Sequence, residues 1–143
     1  MSQQQISKGV LLTRDKLRNI KVTQDVLDQF IADTNNYLVI FNPRPDSLKI
    51  SIIPSKNREV LKILVHLTAF SPQAVKAIAD IVYDLKIATV YTSGICFQEQ
   101  ECVYEAYVEY GTKGTNLDLG TLKEKFSNVI GCTDVTLEII SIE

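Results

Sequence analysis

The chain has 143 residues, 45% of them hydrophobic and 22% charged, with only four Pro and six Gly. That length allows one full core or two small packed modules, and the apolar share excludes global disorder and Gly/Pro-rich low complexity. No apolar run approaches the roughly 18 residues of a membrane-spanning helix. The first ten residues lack the basic-then-apolar layout of a secretory signal, so a cytoplasmic protein with no membrane attachment is expected.

The net charge of −2 hides an asymmetry. Residues 1–58 hold nine Lys and Arg against five acids, a balance of +4, and residues 59–143 hold six against twelve, a balance of −6. A nucleic-acid contact through Arg14, Lys16, Arg18, Lys21, Arg44 and Arg58 is one reading of the basic part, and a solvated surface is the plainer one. The three cysteines, Cys96, Cys102 and Cys132, form no CxxC pair. Buried or half-buried thiols are expected, with neither a disulfide framework nor a zinc site.

In chain order, Gly9 to Thr13 is an apolar run too short to assign, followed by a charged stretch from Arg14 to Lys21. Val26, Leu27, Phe30 and Ile31 recur at helical spacing behind Asp25 and predict a helix over 24–33. Tyr37 to Phe41 and Leu48 to Ile53 are rich in β-branched and aromatic residues, and predict a hairpin with a stiff loop over 42–47. The polar segment 54–58 is the natural junction between an N-terminal α+β extension, 1–58, and a second module, 59–143.

The second module opens with a strand from Val60 to Leu67. Ser71 and Pro72 are a cap and a first-turn proline, and Val75, Ile78, Ala79, Val82 and Leu85 form one apolar stripe. A strand from Ile87 toward Phe97, a polar turn at 98–101 and a strand over 102–110 follow. In that last strand Cys102, Tyr104, Ala106 and Val108 alternate with Val103, Glu105, Tyr107 and Glu109. A helix over 119–129 with Gly131 behind it and a strand over 134–142 complete the order β-α-β-β-α-β. This is the ferredoxin-like plan, a four-stranded antiparallel sheet backed by two helices, in an α+β fold. Helices cover only one sheet face, so the N-terminal extension or a second subunit is expected on the other, and a homodimer through that face or the sheet edges is the expected assembly.

Residues 59–142 resemble the ACT-domain family of small regulatory modules. The resemblance lies in the plan and in Pro72, Gln73, Ala74 and Val75 at the opening of the first helix, Ile78-Ala79 within it, and Lys86-Ile87 at its exit. The family pattern has glycine where Gln73 and Lys86 stand, and an acid or asparagine is common where Phe70 stands. The resemblance implies a regulatory role and binding of a small polar metabolite, plausibly an amino acid. The implied wall is Thr68, Phe70, Ser71 and Gln73, with Ser93 and Gly94 from the next strand. A protein-protein assembly module without an effector is the alternative reading.

Nothing in the sequence calls for catalysis, a cofactor or a metal. His66, the single histidine, has no Cys-His or HExxH-like spacing around it and is read as a satisfied structural residue. Glu99, Glu101, Glu105 and Glu109 are read as a solvated turn and strand face. The glycines at 111 and 114 lack the phosphate-loop layout, and Ser71, Ser93 and Thr68 show no histidine-acid relay.

Overall fold

A computed structural model describes residues 6–20, 23–30, 34–111 and 117–143. Strands β1 (Lys8–Thr13), β2 (Asn36–Arg44) and β3 (Ser47–Ser55) form an antiparallel sheet in that order. Strands β4 (Glu59–Leu67), β5 (Thr89–Gln98), β6 (Glu101–Tyr110) and β7 (Cys132–Ser141) form a second one, ordered β5-β6-β4-β7 and antiparallel throughout. The helices are α1 (Arg14–Leu17), α2 (Gln24–Gln29), α3 (Pro72–Asp84) and α4 (Leu119–Ser127). The fold is thus mixed α+β with antiparallel sheets, and its second part has the expected element order. The end of the helix expected over 24–33, Lys21 and residues 112–116 lie outside the described residues.

β4 is the centre of the molecule. Residues 60–65 are all buried, Lys62 among them, so both faces of the strand are covered. Leu61, Ile63, Val65 and Leu67 pack with Ala74 and Ile78 of α3 and Leu122 and Phe126 of α4. On the other face, Val60 joins Tyr107 and Ile140 against Leu11, Leu38 and Ile40 of the first sheet. Leu64 and Val103 take up Ile6. Helices, four-stranded sheet and three-stranded sheet therefore stack as three layers. The outer face of the three-stranded sheet has its own cluster, in which Leu12, Tyr37 and Val39 meet Leu17 and Phe30.

Local chemistry explains the element ends. Ser71 caps α3, its Oγ accepting the Ala74 N–H at 3.1 Å, and Asp118 caps α4 through the Gly120 N–H at 3.0 Å. Behind α3, Lys86 adopts φ +51°, the left-handed conformation that glycine takes most easily. The glycine expected before the strand from the ACT pattern is thus replaced at a position whose backbone favours it.

The structure assigns the stretches left open and corrects several expectations. The run from Gly9 is a strand because β2 supplies its ladder. The charged stretch begins with the short α1, capped by Thr13. The stiff loop over 42–47 is a two-residue turn, since Arg44 already pairs with Ser47. The junction shortens to 56–58 because β3 is an edge strand, where Pro54 needs no ladder partner for its missing N–H. The turn at 98–101 reduces to Glu99 and Gln100, the latter at φ +63°. Cys96 and Cys102 are not thiols but a disulfide: they are cross-strand partners with Cα atoms 4.0 Å apart, leaving Cys132 free. Of the two occupants expected on the open sheet face, the N-terminal extension fills it, through the first sheet of the same chain.

Candidate functional site

The segment from Thr68 to Gln73 leads from β4 into α3, and beside it α3 and β5 enclose a groove of about 220 Å³. Phe70, Val75, Ile78, Gly94 and Tyr104 line it. Gly94 is what leaves the space open, because a Cβ there would sit 3.1 Å from Phe70 Cζ. Val75, expected in the buried stripe of α3, is 53% exposed. The Tyr104 hydroxyl is the polar side-chain group among the lining residues, and burial pushes its pKa up, so it stays a neutral donor.

Of the six residues expected at the site, the fold brings Phe70 and Gly94 into the groove. Ser71 and Gln73 stand at its α3 end, Ser71 engaged as the helix cap and Gln73 exposed. Thr68 is exposed and tied elsewhere, its N–H donating to the Gly131 carbonyl at 2.9 Å. Ser93 faces the other side of the sheet, in register with Glu105, and its Oγ is buried without a hydrogen-bond partner. Successive strand residues point to opposite faces, so Ser93 and Gly94 do not wall one pocket. Val75, Ile78 and Tyr104 were missed as lining residues, although the α3 stripe contains the first two and the alternation of β6 directs Tyr104 to the helix side.

A second groove of about 420 Å³ runs between α4 and β7, lined by Leu119, Gly120, Lys123 and residues 134–137. It contains none of the expected residues.

On the opposite face of the four-stranded sheet lies a buried polar cluster. Glu105, read as solvated, is fully buried. Its Oε2 accepts the N–H groups of Ile6 and Ser7 at 2.6 and 3.1 Å, and its Oε1 accepts the Ser7 hydroxyl. Ser7 Oγ also lies 2.8 Å from the Tyr107 hydroxyl. Lys62, 2% exposed, donates to the Ser7 carbonyl at 2.7 Å and lies 5.5 Å from the Tyr107 ring centroid. Burial lowers the Lys62 pKa, against the pull of Glu105 and Glu138. The carboxylate and ammonium are thus spent on holding residues 6 and 7 to the sheet.

His66 Nε2 is buried with no hydrogen-bond partner, which corrects its reading as satisfied. Among the described residues, no three His, Cys, Asp or Glu side chains gather closely enough to hold a metal ion. No helix among them is long and apolar enough to cross a membrane.

Among the described basic residues, Arg44 stands apart from the others named. The Arg14 backbone meets Asn35 at one end of β2, and its guanidinium donates to the Tyr37 hydroxyl at 3.0 Å. Arg18 stands 4.0 Å from Asp15, and Arg44 sits at the far end of β2, roughly 25 Å away at the usual strand rise. No protein-family model matches the chain, and no curated protein matches it significantly.

Proposed function

We propose that residues 59–142 are a ferredoxin-like regulatory module of the ACT kind, without catalytic activity. The module binds a small metabolite in the α3–β5 groove. The supporting observation is the meeting of Phe70 and Gly94 in a lined space of about 220 Å³. Its lining favours an amino acid with an apolar side chain. That side chain packs on Phe70, Val75 and Ile78, and the polar end points toward Gln73 and the α3 start. The chain acts as a dimer in this reading, in a cytoplasmic setting. The Cys96–Cys102 bond weighs against that setting, because cytosolic reductants keep most thiols free. An assembly module without effector is the rival reading, favoured by the engagement of Ser71 in capping.

Thermal-shift screening against the twenty amino acids, followed by calorimetry, tests the proposal. Saturation at a hundredfold over Kd stabilises by about 2.7 kcal/mol. Gly94→Val fills the groove and is expected to abolish the shift while the circular dichroism spectrum stays native. Absence of any shift at millimolar ligand, or a shift retained in Gly94→Val, sinks it in favour of the assembly module.

A further inference from the structure

The two ends of the Cys96–Cys102 bond differ in their access to solvent. Cys96 is exposed on β5, at the edge of the four-stranded sheet. Cys102 is 4% exposed and belongs to the helix-side core cluster that holds Leu67, Ala74 and Ile78. Disulfide exchange proceeds by attack of a thiolate on one of the two sulfurs, and access decides which. An incoming thiol therefore meets Cys96, and Cys102 is the sulfur that leaves.

The bond spans a sequence separation of only six residues. Stabilisation by a cross-link grows with the loop it closes, so this one adds less to the fold than a bond between distant segments. Main-chain pairing already sets Cys96 opposite Cys102, after Ser93 with Glu105, Gly94 with Tyr104 and Ile95 with Val103. The ladder thus keeps the two sulfurs adjacent in the dithiol form, and the bond can open and reclose within the folded chain. Cys132 takes neither place. Cys102 and Cys132 both stand opposite Leu67, one on each side of β4, so their Cα atoms are roughly 9–10 Å apart, beyond disulfide reach.

The bond also lies beside the groove. Cys96 is two residues from Gly94 on the same strand face, about 7 Å at the usual rise. Gly94 and its cross-strand partner Tyr104 both line the groove. A group attached to Cys96 Sγ therefore stands at the groove's end.

We infer that Cys96 is an exchange site for a small-molecule thiol, and that the mixed disulfide formed there closes the α3–β5 groove. The small thiolate attacks Cys96 Sγ, the bond to Cys102 breaks, and its electron pair leaves on Cys102 Sγ, which takes a proton from solvent. A second thiolate then displaces the first from Cys96. The small molecule departs as its own disulfide, and two electrons have passed from two thiols to the protein bond. Alternatively Cys102 attacks the mixed disulfide, expels the small thiol and restores the original bond. A bond in exchange with a thiol pool forms or opens according to that pool, which reconciles it with a cytoplasmic setting. The exchange rests on the disulfide alone, and the closure rests on the binding reading above.

Glutathione, reduced and oxidised, is the probe, used on the full chain and on Cys132→Ser to remove the third thiol. Millimolar reduced glutathione is expected to open the bond while the circular dichroism spectrum stays native. Tandem mass spectrometry after acid quenching is expected to find the mixed disulfide on Cys96 at least about tenfold more often than on Cys102. Cys102→Ser lacks the thiol that recloses the bond, and is expected to trap one glutathione on Cys96 from the oxidised probe. An amino acid that raises the melting temperature of Cys102→Ser is expected to lose that effect in the trapped adduct. If Cys102→Ser fails to fold, the quenched mixed disulfide of the unsubstituted chain decides the exchange site, and its melting temperature decides the closure. A bond that persists in millimolar thiol until the chain unfolds, or adducts shared equally between Cys96 and Cys102, overturns the exchange site. An amino-acid shift undiminished in the adduct overturns the closure. If no amino acid shifts any form, the binding reading fails, and an adduct on Cys96 still upholds the exchange site.

Discussion

Glu105 and Ile6, 99 positions apart in the chain, are joined by a hydrogen bond of 2.6 Å from the Ile6 N–H to the carboxylate. A fully buried carboxylate is tolerated only where donors surround it, and here the donors come from residues 6 and 7 and not from its own sheet.

Glu105→Ala strands the Ile6 and Ser7 N–H groups and removes one of the two carboxylates that favour the buried Lys62 cation. It is expected to destabilise the fold by about 3–5 kcal/mol. Glu105→Gln keeps an acceptor and costs less. Urea unfolding checks this as a fall in midpoint, and an unchanged midpoint for Glu105→Ala means that the strap of residues 6 and 7 contributes nothing.

Alkaline pH gives a second test. Burial holds the Tyr107 phenol far above its ordinary value of 10.0, and Tyr104 is shifted the same way. The unfolded chain loses these protons above 10.0 while the folded chain keeps them, so stability present below that pH is lost as pH rises through it. Lys62 has the opposite sign: its lowered pKa means that stability rises with pH from that value up to 10.5. Unfolding free energy measured from about pH 8 to about pH 11 is expected to fall less steeply in Tyr107→Phe and more steeply in Lys62→Met. Equal slopes in all three proteins contradict the assignment.

Gly9 lets β1 pass directly over the Tyr107 ring. A Cβ there overlaps Tyr107 Cε1, and the ring is fully buried and held at its hydroxyl. Gly9→Ala is expected to cost about 1–3 kcal/mol by overpacking. The double variant with Tyr107→Leu should recover part of that loss, which a double-mutant cycle measures.

Thiol counting tests the cysteine pairing. The folded, oxidised chain is expected to expose one reactive thiol, Cys132, and the reduced, unfolded chain three. Closing a loop of this size is worth about 2 kcal/mol in the chain-entropy account, so reductant should lower the unfolding midpoint accordingly. Three thiols under non-reducing conditions exclude the bond.

Local rules carried most of the second module. Ser71 and Pro72 state a helix start, the run from Val60 to Leu67 states a strand, and the helical spacing states an apolar face that holds for Ile78, while Val75 and Ala79 of the expected stripe are exposed and Ala74 is buried in their place. Alternation along β5 was there to be read but was overlooked: Ser93 and Gly94, expected on one wall, are consecutive strand residues and face opposite ways. These features depend on neighbours within a few positions, which is why sequence alone determined them.

Only the tertiary structure decided the rest. Glu105 in an alternating strand reads as solvent-facing, and its burial depends on residues 6 and 7 arriving from the other end of the chain. Cys96 and Cys102 become a pair only through the register of β5 on β6, where an irregularity between Cys96 and Gln98 shifts the pairing that the two-residue turn begins. The short run from Gly9 became a strand because β2 lay beside it. In each case the deciding energy comes from a partner far away in sequence, and a strand's hydrogen bonds, unlike a helix's, are made to another segment.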